Sequence, residues 1–168
     1  DLLRLEELVL DEASTLARSP PEEIAATMII LTNVGEDAEL QNRQDANRLE
    51  LGTSPFELDF VAFQAWFQMI EEELEEDAVL SDQVMAAHFH PDFLFGGELA
   101  DDVDNPIHYE KRAPFPTINL LRTPQIDDAI KLGKTQPIAG RNAERLAHEG
   151  IQVVREAFEE LYDIEDSE

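Results

Sequence analysis

The order of apolar patterns along the chain predicts an α+β fold, with a small, at least partly antiparallel sheet of about three strands covered by helices. Helical periodicities alternate with short runs that are rich in β-branched residues. Consecutive predicted strands near the middle of the chain lack a crossover helix between them, which favours antiparallel pairing. The 168 residues predict a single acidic domain that ends in an acidic tail over residues 163–168.

The spacing of apolar residues assigns each element. Spacings near 3.6 residues predict helices, and short runs of β-branched and apolar residues predict strands. The run over residues 26–32 is of the second kind, so we expect a buried strand there. Four helices are predicted: over residues 2–18, after the N-cap Asp59, over 126–132, and as one long element over 138–162. The two other strands are predicted over residues 83–89 and 116–121.

The charge of the chain restricts its partners. The sequence has 38 acidic and 12 basic residues, for a net charge of −26. Such a surface repels nucleic acid phosphates and anionic lipids, so we expect no nucleic acid binding and no direct membrane insertion. Three explanations stay open, namely solubility, adaptation to high salt, and attraction of a basic protein surface. The absence of cysteine excludes disulfides, thiolate metal ligands and a thiol nucleophile.

Two polar segments bear on binding. Residues 35–54 are polar and irregular and predict a long surface loop, a feature that often serves binding. The helix after Asp59 ends in an acidic run over residues 71–77, at the end of the helix dipole that disfavours anions. This run is either a solvated face or a docking patch for a basic surface.

A short histidine-containing stretch is the first candidate for chemistry. His88 and His90 alternate, so on a strand their side chains point to the same side, and Asp92 joins them if the strand continues through Pro91. Two imidazoles and a carboxylate are ligands for zinc, iron or manganese, which makes these three residues weak candidates for a divalent metal site. The alternative is that His90 hydrogen-bonds a turn that Asp92 caps.

Further polar residues complete the set of candidate catalytic groups. His108 and Glu110 form a second alternating pair that could carry protons. Arg112 and Arg122 could hold an anionic substrate by paired hydrogen bonds. The absence of a Gly-X-Ser-X-Gly motif argues against a Ser/His/Asp triad. We expect no cofactor beyond a divalent metal, since the seven glycines are scattered and form no phosphate-binding loop.

Several of these motifs together resemble one family, the domain-of-unknown-function family numbered 1415, over roughly residues 21–150. The resemblance lies in His90-Pro91-Asp92 with Phe95 and Gly97, in Arg112-Ala113-Pro114-Phe115-Pro116-Thr117 with Leu120-Leu121-Arg122, and in Arg141-Asn142. The family name implies no established reaction. The resemblance singles out His90, Asp92, Arg112 and Arg122 as the positions that match its polar motif residues.

The chain departs from that family pattern in three places. Similar sequences open with a helix that carries a Cys-Pro-Phe segment, which this chain lacks, and have histidine in the third strand where this chain has Asn119. Where they have serine before the Phe-His-Pro-Asp stretch, this chain has His88, which adds an imidazole on the side of His90. The resemblance therefore implies one of two outcomes. Either His88 compensates for the missing cysteine and histidine, or the ancestral site lost its function while the fold was kept.

Two classes of function follow as hypotheses. We favour a soluble, non-catalytic accessory subunit that docks on a larger protein complex, because no strong catalytic signature is present. The resemblance extends to plant and algal proteins, which implies a location in the chloroplast stroma, peripheral to the thylakoid. There the subunit would dock on the stromal side of a photosynthetic membrane complex. The alternative location is the cytoplasm. The other hypotheses are a metal-assisted hydrolase that uses His88, His90 and Asp92, and a halophilic member of an uncharacterised family.

Overall fold

A three-stranded antiparallel sheet lies at the centre of the fold, with the last strand in the middle. The computed structural model describes residues 2–32 and 60–162. Strand β1 is Ala26–Ile30, β2 is Val84–Phe89 and β3 is Thr117–Arg122. Both β1 and β2 run antiparallel to β3, so the predicted α+β class with a small antiparallel sheet is confirmed.

Helices make up most of the rest of the described chain. They are α1 (Leu2–Arg18), α2 (Phe60–Glu76), α3 (Thr123–Lys131), α4 (Gln136–Glu149) and α5 (Ile151–Glu159), together with 3-10 helices at Gly97–Leu99 and Pro106–Glu110. None of the helices in the described ranges is both long and apolar enough to cross a membrane.

The core lies between helices α1 and α2 and one face of the sheet. Side chains alternate along a strand, so Ile118 and Leu120 of β3 point to the same face, and neither is exposed to solvent. The helical periodicity of α1 and α2 presents an apolar stripe to that face. The buried residues of these stripes are Leu5, Val9, Ala13 and Leu16 in α1, and Phe63, Trp66, Phe67, Ile70 and Leu74 in α2.

The opposite face of the sheet is open to solvent along β1 and at the start of β2, and is called here the open sheet face. Met28 and Ile30 of β1 are 60% and 53% exposed, and Met85 of β2 is 39% exposed. Helices α4 and α5 pack on each other and on the 3-10 helix Pro106–Glu110. The prediction of a buried strand over residues 26–32 is therefore wrong about burial. Strand β1 is present, but only its alternate residues face the core, and the others are exposed.

The long C-terminal helix predicted over residues 138–162 is two helices in the structure. Gly150 separates α4 from α5 with φ 81° and ψ 157°, a backbone conformation that L-residues avoid. Its N–H still donates to the carbonyl of Leu146, so α4 ends with a satisfied hydrogen bond before the chain turns. The bend lets α5 pack back, with the rings of Tyr109 and Phe158 5.5 Å apart edge to face.

Other boundaries agree with the predictions to within a few residues. The strand predicted over 83–89 is Val84–Phe89, and the strand predicted over 116–121 starts and ends one residue later, at Thr117–Arg122. The helix predicted over 126–132 begins earlier, at Thr123, because Pro124 suits the first turn of a helix. The predicted loop over 35–54, the N-cap Asp59 and the acidic tail over 163–168 lie outside the described residues.

We expect opposite effects from the same substitution at two glycines of the C-terminal region. Gly150→Ala lowers the free energy of unfolding by about 1–3 kcal/mol, because alanine is strained at this φ and ψ. Gly140→Ala raises it by about 0.5–1 kcal/mol, because Gly140 is helical and an added Cβ meets nothing within 4 Å. Urea denaturation of both variants checks this, and equal shifts of the same sign would contradict it.

Candidate functional site

The predicted site residues lie at opposite ends of the sheet. His88, His90, Asp92 and Arg112 cluster where β2 ends, close to the 3-10 helix Pro106–Glu110 that carries His108 and Glu110. Arg122 lies at the other end of β3, where its register partner is Val84 at the start of β2. The structure therefore brings the histidines and Arg112 into one region, but it does not place Arg122 with them.

His88 points into the layer of aromatic rings between β2 and α2. Its ring centroid lies 4.3 Å from that of Phe67, 5.5 Å from Phe93 and 5.9 Å from Phe63. Burial, then the charge of Lys111 and the neighbouring His90, lowers the pKa of His88 to about 4. The imidazole is therefore neutral near pH 7, and its buried Nε2 has no hydrogen-bond partner within the described part of the chain.

His90 is 3% exposed and holds the turn that follows β2. Its Nδ1 accepts the backbone N–H of Asp92 at 3.1 Å, and its carbonyl accepts the N–H of Phe93 at 3.1 Å. Pro91 occupies the second position of this turn, where its fixed φ is favourable. The lone pair of Nδ1 is thus engaged by the backbone, while the side chain of Asp92 lies at the surface.

His108 is fully buried, and both of its ring nitrogens make hydrogen bonds. Nδ1 accepts the N–H of Phe95 at 3.0 Å, and Nε2 lies 2.9 Å from the carbonyl oxygen of Asp102, to which it donates. This pattern requires the neutral tautomer with the proton on Nε2. The ring connects the loop over residues 93–105 to the 3-10 helix Pro106–Glu110, and neither nitrogen is available to move a proton.

Arg112 and Glu110 hold neighbouring elements together. Arg112 Nε donates to the carbonyl of Phe93 at 3.2 Å, and its guanidinium stacks 4.3 Å from the centroid of the Tyr109 ring. Glu110 accepts the side-chain amide of Asn142 at 3.1 Å, which links α4 to the 3-10 helix. Glu110 and Asn142 border a shallow groove of about 220 Å³ that is otherwise lined by Arg145 and Leu146.

Arg122 is 7% exposed and joins the end of β3 to the segment between α1 and β1. Its Nη2 donates to the carbonyls of Ser19, at 2.6 Å, and of Ile24, at 2.9 Å. Its Nε donates to the same Ile24 carbonyl at 3.0 Å. The planar guanidinium suits such a set of acceptors, so this buried arginine satisfies part-buried backbone carbonyls rather than facing a substrate pocket.

The predicted metal ligands are only partly brought together. The rings of His88 and His90 share Phe60 and Phe63 as neighbours, with centroid distances between 5.2 and 6.4 Å. Within residues 2–32 and 60–162, no group of three or more His, Asp or Glu side chains is arranged to hold a metal ion. The metal-assisted hydrolase stays a prediction from the sequence.

An acidic cleft between α1 and α2 is a feature that the sequence did not indicate. It encloses about 410 Å³ and is lined by Leu10, Asp11, Ser14, Glu73, Glu76, Asp77 and Leu80. Beside it, partial burial and then the carboxylate of Glu73 raise the pKa of Glu6. Asp77 is engaged locally, since its carboxylate accepts the N–H groups of Val79 and Leu80.

The acidic run at the end of α2 is exposed, as expected for a solvated face.

The open sheet face is the other feature that sequence reasoning missed. A continuous apolar run such as residues 26–30 does not show which alternate side chains face the core. A signal was nevertheless present, because β2 carries Met85 and Ala87 in alternation with Val84 and Ala86. Both sides of these strands are therefore apolar, whereas a half-solvated sheet ordinarily alternates apolar and polar residues.

We expect His88 to make the protein less stable as the pH falls. The pKa of His88 is about 4 in the folded state against an ordinary value of 6.5, so the unfolded chain binds the proton more tightly between these values. The free energy of unfolding then drops by about 1–2 kcal/mol from pH 7 to pH 4, after allowance for solvent screening. In His88→Phe this component is absent, and the difference from wild type widens as the pH falls.

Denaturation between pH 7 and pH 4 measures this difference, with His148→Gln on the exposed side of α4 as the control. A wild-type His88 resonance that titrates near pH 6.5 in an NMR experiment would contradict the prediction.

Arg122 and Arg112 should differ in their contribution to stability. Arg122→Met leaves two part-buried carbonyls without this donor and costs about 2–3 kcal/mol in the free energy of unfolding. Arg112→Met removes one hydrogen bond from a half-buried site and costs about 1 kcal/mol. Chemical denaturation of the two variants is the measurement. Equal losses, or a loss at Arg112 alone, would show that Arg122 does not hold the fold together.

Comparison with known proteins places the chain in a family. A family model described as "Protein of unknown function (DUF1415)" matches residues 3–156. The match extends beyond the region 21–150 on both sides, so α1 and most of α5 lie within the family domain. No curated protein and no solved structure matches the chain. Since the match covers nearly all of the sequence, the chain belongs to the DUF1415 family of proteins of unknown function.

Proposed function

We propose that this protein is a non-catalytic accessory subunit that docks on a larger protein complex through its open sheet face. The observation that carries the proposal is the exposure of large apolar side chains on both outer strands of that face, Met28 and Ile30 in β1 and Met85 in β2. Exposed apolar side chains grouped on one face are typical of interaction sites, because leaving them in water is unfavourable.

The arrangement of the motif residues supports a binding function. His90, Arg112 and Arg122 of the motif, together with His108, direct nitrogens at backbone groups of the chain itself. Each of them fixes a loop or joins two elements, which is a structural reason for a residue of its type at that position. These four candidate catalytic residues therefore have a structural role that calls for no substrate.

The charge supports a basic partner surface. The net charge of −26 steers a positively charged protein toward this one and repels polyanions. The setting that we propose, on the resemblance to plant and algal proteins alone, is the stromal side of a photosynthetic membrane complex.

Affinity purification of the tagged protein from its native source tests this function. We expect a stoichiometric complex with the wild type and with Met69→Asp, because Met69 is 52% exposed on α2, away from the open sheet face. Met28→Asp should reduce the amount of complex at least about tenfold, since it places a charge in the apolar contact. A lone monomer from the wild type, or equal recovery with both variants, would overturn the proposal.

A further inference from the structure

The register of the strands places nine side chains on the open sheet face. Alternate residues of paired strands point to the same side, so Met28 lies beside Asn119, and Asn119 beside Ala87. None of the nine carries a charge, although the protein as a whole is strongly acidic. The set consists of Ala26, Met28 and Ile30 in β1, Thr117, Asn119 and Leu121 in β3, and Met85, Ala87 and Phe89 in β2. The three residues of β1 and Met85 are exposed, Thr117 is buried, and the other four are half-buried.

The size of this face matches one helix. Neighbouring strands lie about 4.8 Å apart, so the outer strands of a three-stranded sheet are separated by about 10 Å, which is close to the diameter of a helix with its side chains. Strands of this length extend for about 17–20 Å, the length of a helix of about 12 residues. The other face of the same sheet already packs against helices, which is the usual way in which a sheet is covered.

Acidic residues gather at one end of the open sheet face. Antiparallel pairing brings the start of β1, the start of β2 and the end of β3 to the same end. The segments that adjoin this end carry five exposed carboxylates, and we call them the acidic rim: Glu22, Glu23, Asp82, Asp127 and Asp128. Within the acidic rim, Nζ of Lys131 lies 3.7 Å from Oδ1 of Asp128, and the two side chains form an exposed ion pair. At the opposite end Lys111 lies over the Phe89 ring at 5.1 Å.

The apolar residues of the face suit a helical partner better than a second copy of this chain. Methionine side chains are flexible and polarisable, and Met28 and Met85 can adapt to a partner helix. A second copy would bring another −26 charge and a second acidic rim, which like-charge repulsion opposes.

We propose that the element that docks on the open sheet face is a basic amphipathic helix of about three turns, supplied by the partner protein. Its apolar stripe lies on Met28, Ile30, Met85 and Leu121 across the three strands. Its Lys and Arg residues, concentrated toward one end, lie against the acidic rim. This inference rests on the proposed function and names the chemistry of the partner at that site.

The three methionines of the chain give a direct test by NMR. The probe is a designed 14-residue helical peptide, near the length that covers the strands, with a Leu and Ala stripe and with Lys and Arg toward one end. It is titrated into the full chain carrying ¹³C-methyl methionine. We expect the Met28 and Met85 methyl signals to shift saturably, while Met69, on α2, does not move. Met28→Asp should weaken binding at least about tenfold, and Met69→Asp by less than about twofold.

Control peptides separate specific docking from charge attraction. A peptide of the same composition in scrambled order, and one with Glu in place of Lys and Arg, should bind at least about tenfold more weakly. Equal shifts at all three methyl groups, or equal binding of the scrambled peptide, would mean that the acidic surface attracts any cation, and would overturn the inference. Met28 and Met85 methyl signals that do not respond to the peptide would also overturn the inference. Shifts of these signals that depend on protein concentration alone would overturn it too, because they indicate self-association.

The two proposals fail in different ways. If Met28→Asp abolishes the native complex but the helical peptide does not bind, the docking function stands and the helical nature of the partner is wrong. If the peptide binds but Met28→Asp leaves the native complex intact, the docking function through this face is wrong.

Discussion

Ile118 and Leu120 of the central strand are buried without any exposure to solvent, and their burial fixes which face of the sheet is covered by helices. Both side chains are fully buried in the core that α1 and α2 share with the sheet, and the period of a strand is two residues. The alternate residues Asn119 and Leu121 must therefore point away from that core. Since β3 pairs with both neighbours, its register also decides the orientation of every side chain in β1 and β2.

That single choice of face separates the two groups of residues that bear on function. His88 is the register partner of Ile118, so it points into the aromatic layer and becomes a neutral, core-facing histidine. Met28 is the partner of Asn119 and is left in water. Burial of the sheet on one side thus explains both why the histidine stretch is withdrawn from solvent and why apolar surface remains on the outside.

Three of the four polar motif residues, His90, Arg112 and Arg122, have a structural explanation in this chain. The turns and loops that they join have backbone groups outside the regular helix and sheet hydrogen bonds, and leaving such groups unpaired is costly where they are shielded from water. His90 and His108 accept backbone N–H groups, and Arg112 and Arg122 donate to backbone carbonyls. Side chains that satisfy such groups resemble a catalytic set in a sequence, because both tasks need strong donors and acceptors in specific places.

Periodicity, composition and local motifs are properties of neighbouring residues, so the amino-acid order alone predicted the fold class, most element boundaries, the acidic character and the family of this protein. The tasks of individual residues depend on the folded chain. The break at Gly150, the open face beside β1, the separation of Arg122 from the histidines and the buried bonds of His108 all depend on contacts between segments distant in the chain. A local pattern shows that a side chain is apolar or can hydrogen-bond, but its partner is set by long-range packing.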